Sequence, residues 1–228
     1  TTGNVPTNAT YWNQFSAGSG GIWNSGLSLG TANQVVRVNS GASALEFGDL
    51  SSDVVLLSTD NITTSTASVS RDVFSSTYGV YKVVINGIQP VSAANSNLHF
   101  RFRRSSADLT DSNYYNHAHQ AYWNNSTNAD GVHNETWGGD YGRIMASNHK
   151  TSSTEYGANY EFNIYNANSS SIVPQIVGIG TLYDDNGYHR HLRFSSWYQG
   201  TNKDVNGIKI YFAGVNIGSG NIKIYGLK

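Results

Sequence analysis

The residues best equipped for chemistry crowd into the stretch from Tyr114 to Tyr141, where Tyr114, Tyr115, His117, His119, Tyr122, Trp123, His133, Trp137 and Tyr141 stand among Asn and Gly. Aromatic faces stack on the C–H patches of sugar rings, while Asn, Asp and His side chains hydrogen-bond hydroxyls, so loops of this composition suit carbohydrate recognition. Tyr115, Trp123, His133, Trp137 and Tyr141 are the contacts this reading selects. Burial in a β-sandwich accounts equally well for any single aromatic. It accounts less well for the cluster, because a core draws on aliphatics and this stretch holds only Val132, with Ile144 just beyond it.

Other chemistries have thinner support. His117-Ala118-His119 sets two imidazoles on one face of a strand, and His189-Arg190-His191 repeats the spacing. Gathered around the symmetry axis of a homo-oligomer, one such pair per subunit permits a metal site. Lone His pairs on polar strands are ordinarily solvated, however, so His117 and His119 are minor candidates and no cofactor is expected. Asp184-Asp185-Asn186-Gly187 offers oxygens to a cation but lacks the spaced carboxylates of a dedicated calcium loop, and its Asn-Gly reads first as a hairpin turn. Glu135, Asp140, Glu155 and Glu161 could pair as a glycosidase requires, a separation that sequence does not show. No His-Glu-x-x-His or phosphate loop is present, and the expectation is a protein that is not an enzyme.

These residues need a scaffold, and from Asp53 onward the pattern is β. Leu98, Phe100 and Phe102 alternate with His99, Arg101 and Arg103; Tyr160, Phe162 and Ile164 alternate with Glu161, Asn163 and Tyr165. Tyr81-Lys82-Val83-Val84-Ile85 ends at Asn86-Gly87, which predicts a turn there. The run Ile176, Val177, Ile179 and Leu182 is broken by Gly178 and Gly180, as in a central strand that another backbone approaches closely. Gly207-Ile208-Lys209-Ile210-Tyr211 and Asn221-Ile222-Lys223-Ile224-Tyr225 nearly repeat each other, which predicts an antiparallel pair with Ile inward and Lys outward. The fold class expected is all-β: an antiparallel, jelly-roll-like β-sandwich head over residues 51–228, behind an extended oligomerisation segment over residues 1–50.

That leader is too glycine-rich and polar to build a core alone. Its scattered apolar residues (Trp12, Phe15, Ile22, Trp23, Leu45, Phe47) gain burial by meeting their counterparts in sister subunits. Val35-Val36-Arg37-Val38 followed by Asn39-Ser40-Gly41 predicts a short hairpin within it.

Composition narrows the partners. Of the 228 residues only 13% are charged, against about 25% in typical globular proteins, so solubility rests on amides and hydroxyls. The formal net charge of −1 lacks the basic footprint of a nucleic-acid binder, and Arg101-Phe102-Arg103-Arg104 reads as the wet face of a strand. Cysteine is absent, which leaves stability to packing and assembly. No stretch is apolar enough to predict membrane insertion, and the first residues lack the pattern of a signal peptide. A start without Met suggests a fragment or a processed chain.

Three segments share a likeness. Residues 29–50, from Leu29-Gly30-Thr31-Ala32-Asn33-Gln34-Val35-Val36 through Glu46-Phe47-Gly48-Asp49-Leu50, resemble the Gly-Thr-x-x-Gln-Val-Leu repeat of tailed-bacteriophage fibre shafts. Val5-Pro6-Thr7-Asn8 before Tyr11-Trp12-Asn13-Gln14 has the same character, and residues 207–228 resemble the terminal strand on which many such appendage proteins end. The resemblance implies a homotrimeric virion protein, a tail fibre or surface appendage, that meets other virion proteins at its neck and a host surface polysaccharide at its head. Its alternatives are a capsid-decorating or tail-joining structural protein and a polysaccharide depolymerase.

Overall fold

The computed structural model describes residues 31, 34–49, 52–93, 96–124, 127–144, 148–150 and 157–228, excluding the side chains of residues 49 and 124–137. The chain divides into two units, Thr1–Ser52 and Asp53–Lys228.

The described part of the first unit is the predicted hairpin: β1 (Gln34–Val38) pairs antiparallel with β2 (Leu45–Asp49). Its connection is organised by Asn39, whose Oδ1 accepts from the backbone N–H groups of Ser43 at 2.9 Å and Ala44 at 3.3 Å. The left-handed residue of this turn is Ala42, with φ 53°, and not Gly41. Arg37 and Glu46 pair across the strands at 3.0 Å, while Val38 remains 59% exposed. Trp12, Phe15, Ile22 and Trp23 lie outside the described residues.

The second unit holds β3 (Val54–Ile62), β4 (Val69–Arg71), β5 (Val80–Pro90), β6 (Leu98–Arg104), β7 (Ala107–Asp108), β8 (Tyr114–Asn124), β9 (Thr127–Gly139), β10 (Gly142–Arg143), β11 (Ala158–Tyr165), β12 (Gln175–Tyr183), β13 (His189–Tyr198), β14 (Gly207–Phe212) and β15 (Ile217–Leu227). They form an eight-stranded sheet, in the order β3-β15-β5-β11-β12-β13-β8-β9, and a five-stranded one, β10-β6-β14-β4 with β7 against β6. Every pairing is antiparallel. The pairs β3·β15, β4·β14, β5·β11 and β6·β10 are those of a ribbon that alternates between the two sheets, which is jelly-roll wrapping. Two excursions depart from it: β7–β9 leave between β6 and β10, and β12–β13 leave between β11 and β14. Both add their long strands to the same edge of the larger sheet, doubling its width beyond β11.

Alternation places the apolar residues between the sheets. Tyr81, Val83 and Ile85 of β5 and Phe162 and Ile164 of β11 face Phe100 and Phe102 of β6 and Ile208 and Ile210 of β14, all buried. Arg101 and Arg103 point outward as the sequence predicts, and Arg103 joins Asp72 at 2.9 Å while Lys209 reaches Asp108 at 2.7 Å. Burial pushes the Asp108 carboxyl up, but Lys209 and Arg103 outweigh it and hold it below the usual carboxylate range. Tyr114, expected as a surface aromatic, lies in the core; its hydroxyl accepts from Phe102 N–H at 2.9 Å and donates to Leu109 C=O at 3.1 Å.

Two local predictions are corrected. Asn86-Gly87 is not a turn: β5 runs through it to Pro90, and Gly87, at φ 59°, makes a bulge beside β11. A Cβ on Gly157 would lie 2.5 Å from Gly87 Cα, so this close packing and not local preference sets the backbone there. β14 and β15 keep Ile inward, yet they do not pair. β14 lies between β6 and β4, and β15 between β5 and β3, because the wrapping sends consecutive strands to opposite sheets.

The glycine interruptions of β12 are as tight as the sequence implies. A Cβ on Gly178 would sit 2.4 Å from Phe162 Cβ, 2.6 Å from Phe194 Cζ and 2.7 Å from the Glu161 carbonyl oxygen. Two of those atoms belong to buried phenylalanines whose rings lie 5.8 Å apart and the third is backbone, so none can retreat cheaply. Gly178→Ala is therefore expected to destabilise by about 2 kcal/mol, the middle of the range for overpacking, read as a lowered denaturation midpoint at unchanged slope.

Candidate functional site

The widened half of the larger sheet carries its most varied chemistry on the face turned away from the core. Antiparallel register lines its residues up in rows across the strands. One row runs Glu161, Ile179, Arg193, His119 and the backbone position of His133; the next runs Asn163, Val177, Ser195, His117 and the backbone position of Glu135. Between β11 and β8 these rows line an open groove of about 720 Å³. Its floor is apolar: Val177 and Ile179 are 49% and 51% exposed. Their outward direction follows from Gly178 and Gly180, which occupy the inward positions of the same strand.

Aromatic residues stand at both ends. Tyr115 of β8 stacks on Trp197 of β13 with ring centroids 5.7 Å apart and planes at 8°. Trp123, further along β8, is 55% exposed opposite His189. The stretch proposed as a binding loop is thus a pair of strands, β8 and β9, and its outward residues are fixed by pleat.

Of the five contact residues selected from sequence, Tyr115 and Trp123 share this face. His133 and Trp137 belong to β9, and their side chains lie outside the described residues. Tyr141 is separated from them: it precedes β10 and covers the outer side of the smaller sheet, its ring 4.0 Å from that of His99 and at 10° to it. Asn116 fixes this placement, accepting from Arg143 N–H at 2.7 Å and donating to Tyr141 C=O at 3.2 Å. Burial pushes the nearby Tyr211 phenol up to about 12.

Other residues of the groove were not selected from sequence. Arg193 and Ser195 alternate with Leu192, Phe194 and Ser196 on β13. Val177 and Ile179 belong to the apolar run that the sequence reads as a central strand. The signal that identifies them is parity: if Ile176 and Leu182 face inward, Val177 and Ile179 cannot.

Among the eight arginines, one stands apart. Arg37, Arg71, Arg101, Arg103, Arg104 and Arg190 each meet a carboxylate, and Arg143 donates to the Tyr141 hydroxyl at 3.2 Å. Arg193, exposed in the groove, has no such partner among the described residues. The groove's own carboxylate, Glu161, is engaged by Lys82 at 2.6 Å.

The remaining sequence candidates resolve as follows. His117 and His119 line the groove, and His189 and His191 share the same sheet face, but among the described residues no group of three or more His, Cys, Asp or Glu could hold a metal ion. Asp184–Gly187 is the hairpin turn joining β12 to β13, with Gly187 at φ 85° and Gly187 N–H donating to Asp184 C=O at 3.1 Å. Asp140 pairs with Arg101 on the smaller sheet at 2.6 Å, apart from Glu161; Glu155 and the side chain of Glu135 lie outside the described residues. Among the described residues no helix is long and apolar enough to cross a membrane.

No family model matches the chain, and no curated protein matches it. Among solved structures, an exo-inulinase from Aspergillus awamori aligns with 86% of this chain and 34% of its own length, at 10% identity and a TM-score of 0.29. The chain therefore spans about a third of that protein, and a likeness at this score carries no argument.

Proposed function

We propose that the chain is a non-enzymatic virion appendage of tail-fibre type, a homotrimer whose sandwich head binds a host cell-surface glycan on the outer face of its larger sheet. The observation that carries this reading is the groove and the sheet face around it: an exposed apolar floor of Val177 and Ile179, neutral hydrogen-bonding groups on Asn163 and Ser195, and, outside the groove lining on the same face, stacked or exposed aromatics at Tyr115, Trp197 and Trp123. A sugar ring has the same mixed character, with C–H patches for the floor and aromatics and hydroxyls for the amides. The eight residue steps from Tyr115 to Trp123 extend roughly 26 Å at strand rise, a length suited to an oligosaccharide. Trimeric assembly is supported by the leader hairpin, where Val35, Val36 and Val38 are exposed within one chain. Three weak sites on one particle then act by avidity.

The test is binding of the full chain to polysaccharide fractions of bacterial envelopes, with sedimentation to determine its assembly. Trp123→Ala is expected to weaken binding about tenfold, equivalent to about 1.4 kcal/mol, with unchanged near-ultraviolet dichroism. Failure to bind any envelope polysaccharide would favour a capsid-decorating or tail-joining role, and release of reducing ends would identify a depolymerase.

A further inference from the structure

The groove holds one feature that a neutral ligand leaves unused. Arg193 stands near the middle of β13, between Ile179 on one side and His119 on the other, exposed and without a partner among the described residues. Seven other arginines are all engaged, in a chain where charge is scarce. Glu161 lies in the same row, two strands away, yet it is held from the opposite side by Lys82. Among the described residues no carboxylate pairs with Arg193.

We propose that the groove selects an acidic polysaccharide, with an oxyanion of the sugar, carboxylate or sulfate, seated on the Arg193 guanidinium. This rests on the glycan reading and narrows it to a ligand class. Guanidinium presents a planar fork of N–H donors that matches a carboxylate or sulfate in two parallel hydrogen bonds. The same sugar then lies with its C–H face along Ile179 and Val177 and its hydroxyls toward Ser195 and Asn163. His117 and His119 border the site on β8. Selection of the anion is local: at a formal net charge of −1 the chain has no general attraction for polyanions.

The experiment compares the full chain's binding to polygalacturonate, to the same polymer after carboxyl reduction, to dextran sulfate, to unsubstituted dextran and to poly-L-glutamate. The expected result is binding of polygalacturonate, dextran sulfate or both at least tenfold tighter than their neutral counterparts, with polyglutamate bound no better than dextran. The polymer preferred identifies the oxyanion. Arg193→Gln is expected to remove at least tenfold of acidic-polymer affinity while changing neutral-polymer affinity less than twofold. Arg193→Lys, which keeps the charge without the fork, is expected to fall between. Arg193 is exposed, so both variants should keep the near-ultraviolet dichroism of the parent. Equal binding of reduced and unreduced polymer with continued dependence on Trp123 overturns the acidic assignment and leaves the glycan reading standing. Absence of binding to every polysaccharide overturns both. Equal binding of polyglutamate, or an Arg193→Gln variant indistinguishable from the parent on acidic polymer, also overturns the assignment.

Discussion

Asp184→Ala is expected to destabilise the head by about 3–5 kcal/mol, the cost of leaving a buried charge without its counter-ion. Asp184 is fully buried at the start of the β12–β13 turn, where Oδ2 accepts from Arg190 Nε at 2.5 Å and Oδ1 accepts from the Tyr188 N–H at 2.8 Å. Arg190 is itself buried; beyond Asp184, among the described residues, it reaches Gln120 Oε1 at 3.2 Å and the rings of Tyr122 and Tyr188, which stack on each other. Removing the carboxylate strands the guanidinium between two strands that both carry groove residues. The pair as a whole is less valuable than either half is costly to remove, because two desolvation penalties offset its attraction. Asp184→Ala with Arg190→Met should therefore recover most of the loss. Urea unfolding of both variants and of Arg190→Met alone closes the cycle. A single variant within 1 kcal/mol of the parent, or a double variant as unstable as the single, would show that the pair does not anchor the turn.

That pair also marks where sequence reading succeeds and where it stops. The Asn-Gly dipeptide occurs three times: Asn186-Gly187 is the hairpin turn it promises, Asn86-Gly87 is a bulge inside β5, and Asn206-Gly207 leads straight into β14. Local preference for positive φ is satisfied in the first two. What differs is the close approach of Gly157 to Gly87, a long-range contact without a local trace. Strand faces were legible because pleat is a property of one segment: Phe100 and Phe102 in, Arg101 and Arg103 out. Strand partners were not, since β14 and β15 look like a hairpin and only the wrapping of the whole ribbon sends them to different sheets. The candidate site divides along the same line. Tyr115, His117, His119 and Trp123 were visible because one strand carries them, but the groove is completed by β11, β12 and β13, and register between distant strands is what sets Arg193 beside His119. Tyr141 was drawn into the cluster by proximity in sequence, and Asn116 holds it to the other sheet.

Acid should weaken the head through His99 on the outer side of that smaller sheet. Burial beneath Tyr141, reinforced by repulsion from Arg143 and Arg101 and only partly countered by Asp140, brings its imidazole down to about 3 from the ordinary 6.5. Its Nε2 and the Nε of Arg143 are buried without hydrogen-bond partners among the described residues, so no acceptor there stabilises a proton. The unfolded chain takes up this proton near the ordinary value and the folded chain does not until about 3. The contribution of neutral His99 is thus fully present above about pH 6.5 and is lost as pH falls, at about 1.4 kcal/mol per unit, amounting to roughly 3 kcal/mol by about pH 4.3. Asp108, whose carboxyl is held low, loses stability in the same direction, so the parent alone cannot separate the two. His99→Phe does: the ring still fills the space beneath Tyr141 and cannot titrate, while Asp108 is untouched. The variant is expected to match or exceed the parent at pH 7 and to be about 3 kcal/mol more stable than it near pH 4.3. Denaturant midpoints taken across that interval check the slope, and parallel curves for parent and variant would mean that His99 accepts its proton without unfolding the stack.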